Sequence, residues 1–333
     1  MWQVLNYTAY GAGKSWIRDK TGQSHWLVAI KATFDILEGG RLRRSEEQPP
    51  PLLAPEFWGD PATTSLREDW EVTPPKLSTD VLVVGSAYAP GGRPAPSVLV
   101  SLRFADVFKT LVVHGPRVYG DGLSAGEGEP FVSAPIRYES AFGGSDLSSP
   151  DPRQHRFDPR NPVGRGVGGP EGQRLTGLAH TIEYPDGIAS RRGPAGFGPI
   201  ASFWSPRRER GGTYDEAWEK RKKPLLPDDH DERSWLCAPD DQWPSRPLRG
   251  GEIIQLQNLT PGGLLQVELP KLYFAFSTKF GSRVEQHRAR LGTVTLAPDV
   301  GKLSMVWQTA LAVRATEADY LDETRVLEKE YIA

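Results

Sequence analysis

Gly11-Ala12-Gly13-Lys14-Ser15 has the ending of a phosphate-binding loop, where backbone N–H groups and a lysine cradle phosphates. The full motif needs a glycine at position 8, where Thr8 stands, and an apolar helix after the serine. Trp16-Ile17-Arg18-Asp19-Lys20-Thr21-Gly22 reads instead as a strand and a turn, so this stretch is expected to be a glycine-rich hairpin without a nucleotide. Asp228-Asp229-His230-Asp231 offers oxygen ligands for a hard cation but lacks the spacing and central glycine of a calcium loop. Zinc would want more than His230 and the distant Cys237. The run is expected to be a solvated acidic turn in which one aspartate caps backbone donors. No Gly-x-Ser-x-Gly elbow occurs, Cys237 sits between Leu236 and Ala238 as a small core residue, and the six histidines are scattered. Carboxylates are plentiful, but no pair is singled out for glycosidase-like chemistry. No catalytic, metal-binding or cofactor-binding residue is therefore assigned, and the chain is not expected to be an enzyme.

The remaining chemistry is that of recognition. Arg191-Arg192 and Arg207-Arg208-Glu209-Arg210 flank Pro194-Ala195-Gly196-Phe197-Gly198-Pro199, and arginines among aromatic rings are a common interface composition. Arg191, Arg192, Phe197, Trp204, Arg207, Arg208, Tyr214 and Trp218 form the candidate set that binds a partner or organises the loops. Lys76, Asp80, Arg137 and Glu139 lie beside strand-like runs and are candidates for a partly buried ion-pair network that fixes loops to a sheet; separate surface charges are the alternative.

Stiff elements must position these groups. With 333 residues, 38% of them hydrophobic, the chain can bury a large core as one β domain or two packed lobes. The 35 glycines and 30 prolines exceed what helices tolerate and point to many turns between short strands. In Val98–Ala105, Val98, Val100, Leu102 and Phe104 share one face, the period of two of a half-buried strand. Trp26–Ile30 and Lys31–Ile36 are rich in branched and aromatic residues and end in the turn signal Glu38-Gly39-Gly40-Arg41. Val81–Val84 and Leu111–Val113 read as strands buried on both sides, and Ala89–Pro94 as a loop. Strands resume over Glu252–Leu259, around Leu265, Val267 and Leu269, and then around Leu272, Phe274 and Phe276. Two more follow, around Val294 and Leu296 and around Leu303, Met305 and Trp307.

The parts are thus a β-rich stretch over 1–145, an irregular segment over 146–248, a β-rich stretch over 249–315, and a tail over 316–333. Roughly a quarter of 146–248 is proline plus glycine, near the level that suggests disorder. Yet Phe157, Phe197, Phe203, Trp204, Trp218, Trp235 and Trp243 lie in it, and disordered tracts are poor in aromatics. It is expected to be ordered, pinned to the core by rings that each bury on the order of 150–250 Å². Thr213-x-x-Glu216 reads as a capping box opening a helix that Pro224 stops. In the tail, Thr316 reads as a cap, and Tyr320, Thr324, Leu327 and Tyr331 have helical spacing, which suggests a terminal helix.

Forty basic residues against 42 acidic ones leave a net charge of -2, which argues against a sequence-independent grip on nucleic acid. One cysteine allows no internal disulfide. The first residues lack the features of a signal peptide, and no apolar run spans a bilayer, so a soluble cytoplasmic protein is expected.

Over most of its length the chain resembles a bacterial family identified as type VI secretion system accessory proteins. The resemblance rests on an ordered series: Lys31-Ala32-Thr33-Phe34-Asp35, Thr79-Asp80-Val81, Val113-His114-Gly115-Pro116-Arg117-Val118-Tyr119 and Pro135–Gly144. Asn161-Pro162-Val163-Gly164-Arg165-Gly166, Pro194–Pro199 and Gly212-Thr213-Tyr214-Asp215-x-x-Trp218 are its most distinctive pieces. The resemblance implies a cytosolic adaptor or chaperone that binds a secreted effector and promotes its loading onto VgrG and PAAR spike proteins. It implies no active-site residues. The expected fold is mainly β, a distorted sandwich or two packed antiparallel sheets with few short helices. Two other functions are weighed: a cell-wall- or carbohydrate-degrading enzyme with a carboxylate pair in a groove, and a carbohydrate-binding module with exposed coplanar tryptophans.

Overall fold

The computed structural model describes residues 2–119, 125–167, 177–186, 188–314 and 321–329. The chain is mainly β, with three larger sheets and only short helices among the described residues. The largest sheet orders its strands Gly11–Arg18, Ser24–Ile36, Lys302–Val313, Arg290–Ala297 and Asp80–Val83, and Leu42–Arg44 adds to the far end of Ser24–Ile36. Its pairs are antiparallel except the last, where Asp80–Val83 runs parallel to Arg290–Ala297. A five-stranded antiparallel sheet runs Ile182–Glu183, Val107–His114, Ser97–Phe104, Ile253–Gln257, Leu264–Glu268. A four-stranded sheet runs Gln3–Asn6, Leu321–Lys329, Tyr273–Phe280, Arg283–Arg288.

One core joins all three. Val28, Ile30 and Phe34 of the long strand meet Met305 and Trp307, while Val100, Leu102 and Phe104 come from the five-stranded sheet and Phe276 and Val326 from the four-stranded one. Each such side chain contributes about 1.5–3 kcal/mol by leaving water. Trp26–Ile30 and Lys31–Ile36 prove to be one continuous strand, Ser24–Ile36, closed by a turn in which Gly39 and Gly40 take φ 72° and 77°. Val98, Val100, Leu102 and Phe104 are buried as their alternation demands. Leu111–Val113 departs from the sequence reading, because it belongs to Val107–His114, which alternates and leaves Val112 partly exposed. Three consecutive apolar residues on a strand do not by themselves require two covered faces.

Two further expectations are corrected. The helix near residue 216 runs Glu216–Arg221 and its cap is Asp215, whose carboxylate accepts from Trp218 N. Thr213 is drawn off instead, giving its amide and hydroxyl to Asp229. The described part of the tail, Leu321–Lys329, is a strand and not a helix. Thr324 and Val326 are buried while Arg325 and Leu327 are exposed, a period of two imposed by pairing with Tyr273–Phe280 on one side and Gln3–Asn6 on the other. Thr316, Tyr320 and Tyr331 lie outside the described residues. Among the described residues no helix is long and apolar enough to cross a membrane.

Candidate recognition cleft

Side chains alternate between the faces of a strand, so the face of the large sheet turned away from the common core is set by register. Lys31, Val306, Thr293 and Asp80 are successive partners across four strands, and they form one row of that face. The row mixes polar and apolar residues, and all four are buried. Buried polar groups need partners, and residues 48–80 and 197–243 supply them.

Each contact fastens a loop to the sheet. Gln48 donates to the Thr33 carbonyl and accepts from its amide. Lys31 Nζ lies 2.9 Å from Glu71 Oε1, and Gln308 donates to the Glu71 carbonyl and to Thr73. Lys76 Nζ reaches Asp80 Oδ2 at 2.6 Å and Thr293 Oγ1 at 2.9 Å. Asp80 in turn accepts from the amides of Cys237 and Ala238. Burial works against the Lys76 charge, but the Asp80 carboxylate outweighs it and raises the Lys76 pKa. Gln242, wholly buried, donates to the Val81 and Phe197 carbonyls and accepts from Lys109, whose pKa burial pushes down to about 8 against the pull of Asp241. The Phe197 carbonyl also takes the amide of Val83.

On this fastened layer lies an open cleft of about 970 Å³. Trp70, Phe203, Tyr214 and Trp235 line it with rings, and Arg207, Arg208, Asp69, Glu209, His230 and Ser234 with polar groups. Phe203 is half exposed and stacks on Phe57 at 6.2 Å, while Trp70 and Trp235 meet edge to face at 6.0 Å. The sequence-predicted residues divide here. Phe197 and Trp204 are buried, Trp204 meeting Tyr138 edge to face, so they organise the loops and face no partner. Arg207 is also buried, with Nη1 2.7 Å from Asp69 and bonds to the Ser234 and Ile200 carbonyls. Arg208 and Tyr214 are exposed at the cleft. Trp218 packs against Tyr214 at 4.7 Å, gives its indole N–H to the Leu225 carbonyl, and lines an adjoining hollow of about 260 Å³. Arg191 and Arg192 lie away from the cleft lining on the turn Ala189–Arg192, where Arg192 covers Tyr184 at 4.5 Å.

Lys76 and Asp80 do not form one network with Arg137 and Glu139. The Arg137 guanidinium sits 3.8 Å over the Trp58 ring, and Glu139 accepts from the amide and hydroxyl of Ser65, so these two hold another part of the 48–80 segment. Two unforeseen clusters complete the picture. Glu183 accepts from His114, His180 and Arg117; burial opposes its charge, but those donors hold its pKa well below the usual range. Ser234 Oγ lies 2.9 Å from His230 Nε2, a nucleophile–base geometry. Burial, then the charge of Lys20, depresses the His230 pKa, and no described residue bonds its other ring nitrogen.

The glycine-rich stretch and the acidic run each make local contacts within the fold. Gly11–Ser15 lies in an edge strand, where a Cβ on Gly11 would meet the Pro49 carbonyl oxygen at 2.2 Å. Asp229 is held by Thr213, Asp231 caps the turn Glu232–Trp235, and Asp228 pairs with Lys222. Among the described residues no three His, Cys, Asp or Glu side chains converge to hold a metal ion.

No curated protein and no solved structure matches the chain. Residues 21–308 match the family described as "Uncharacterized protein conserved in bacteria (DUF2169)", and the chain, matched over most of its length, belongs to that family.

Proposed function

We propose that this protein is a cytoplasmic adaptor of the type VI secretion system, a non-catalytic chaperone that binds a secreted effector and promotes its loading onto VgrG and PAAR spike proteins. The type VI assignment rests on the sequence resemblance. The observation that supports binding is the cleft, where aromatic rings and an arginine are presented on loops clamped to the large sheet by buried ion pairs. A surface held rigid before binding loses less entropy on association, and central aromatic and arginine residues carry most of the energy of an interface.

The chemistry of the cleft favours binding over hydrolysis. A glycosidase needs one carboxyl held protonated by a raised pKa. Asp69 instead pairs with Arg207, and the Glu209 pKa is lowered, chiefly by the Ser205 hydroxyl. A flat sugar platform is also poorly served, because Trp204 is buried and Trp70 and Trp235 stand at 78°.

The test is co-expression with the effector and spike proteins encoded beside this gene. The adaptor is expected to retain an effector, and Phe203→Asp and Tyr214→Asp to release it while the far-ultraviolet circular dichroism is unchanged. A wild-type protein that retains neither effector nor spike protein overturns the proposal.

A further inference from the structure

The polar groups of the cleft are unevenly satisfied. Arg207 spends its donors on Asp69 and two carbonyls, and Glu209 takes the Ser205 hydroxyl. Arg208, exposed beside them, makes no ion pair or side-chain hydrogen bond among the described residues, and its charge acts on the adjacent Glu209 carboxylate without closing a pair. The Trp235 indole N–H and the Tyr214 hydroxyl likewise have no hydrogen-bond partner there. The cleft therefore offers free donors set among ring faces. The loops around Phe203 and Trp235 contain no strand, so they present no ladder of backbone groups to a β-strand ligand.

An occupant must then supply acceptors and apolar rings without demanding a ladder. A proline-rich segment does so, since its prolines have carbonyls and no N–H. It is extended before binding and docks its rings in aromatic-lined grooves. The unpaired Arg208 adds a preference for a carboxylate. We infer that the cleft takes a proline-rich, extended stretch of the client that carries an acidic residue next to its prolines. Phe203, Tyr214 and Trp235 receive the proline rings, Trp235 donates to a carbonyl, and Arg208 pairs with the acid. This rests on the binding role proposed above and names its partner chemistry.

Fluorescence polarisation with the intact chain tests it, using three labelled peptides of equal length: octaproline ending in two aspartates, octaproline ending in two lysines, and a Gly-Ser repeat ending in two aspartates. The acidic proline peptide is expected to bind about tenfold or more tighter than the Gly-Ser peptide. Trp235→Ala is expected to weaken both proline peptides by about tenfold, and Trp235→Phe, which keeps a ring and loses the donor, by less. Arg208→Glu is expected to reverse the preference between aspartate and lysine ends. Equal binding of the Gly-Ser and proline peptides overturns the inference, as does proline-peptide binding that survives Trp235→Ala, or no binding of any peptide at millimolar concentration. Co-purification of an effector despite such a result would leave the adaptor role standing and remove only this ligand chemistry.

Discussion

Lys76 places its ammonium 2.6 Å from Asp80 Oδ2, with both side chains buried, and Asp80 joins that pair to the amides of Cys237 and Ala238. One carboxylate thus holds a sheet strand, the loop before it and the irregular segment together. Replacing Lys76 with Met leaves a buried carboxylate without its counter-charge, and is expected to cost about 3–5 kcal/mol. Urea denaturation measures it. The double variant Lys76→Met with Asp80→Leu should fall short of the sum of the two single costs, because the partners act as one unit.

His287 bridges two sheets, with Nε2 against Thr278 and Nδ1 against Thr309, and burial lowers its pKa to about 4. The unfolded chain titrates near pH 6.5 and so binds the proton first. Stability is therefore lost as pH falls from about 6.5 toward 4. His287→Gln cannot titrate, so its urea midpoint should fall less between pH 7 and pH 4.5 than that of the wild type, even if it starts lower.

Two neighbouring glycines separate backbone strain from collision. Gly39 has φ 72° with open space around it, whereas a Cβ on Gly40 would sit 1.8 Å from the Gln266 carbonyl oxygen. Gly39→Ala is expected to lower stability by about 1–2 kcal/mol, the cost of a left-handed alanine. Gly40→Ala should cost more, since a strand of the five-stranded sheet must move. Thermal melts of the two variants rank them.

The Ser234–His230 pair supplies a further check on the non-catalytic reading. An active serine needs a base oriented by a third group, and His230 has no such partner among the described residues. Incubation with a fluorophosphonate is expected to leave Ser234 unmodified by intact mass. An adduct that disappears in Ser234→Ala would reverse this reading.

The strands were legible because burial of one face imposes a period of two, as in Val98, Val100, Leu102 and Phe104. Among the rings of the irregular segment, Phe197 and Trp204 are buried, as expected of a stretch with something to hide, whereas Phe157 and Phe203 stay exposed. The tail misled because its apolar spacing fits a helix as readily as the two-residue period that the free edge of Tyr273–Phe280 imposed.

Residue types alone therefore determined a turn-rich β protein with arginines and aromatics gathered in one irregular stretch. Which of those side chains became anchors and which stayed free was decided by tertiary structure. Arg207 and Arg208 are adjacent and chemically identical, yet one is buried against Asp69 and the other is left open at the cleft. The physical reason is that a buried charge requires a partner brought from elsewhere in the chain, and Asp69 arrives only through the path of the fold.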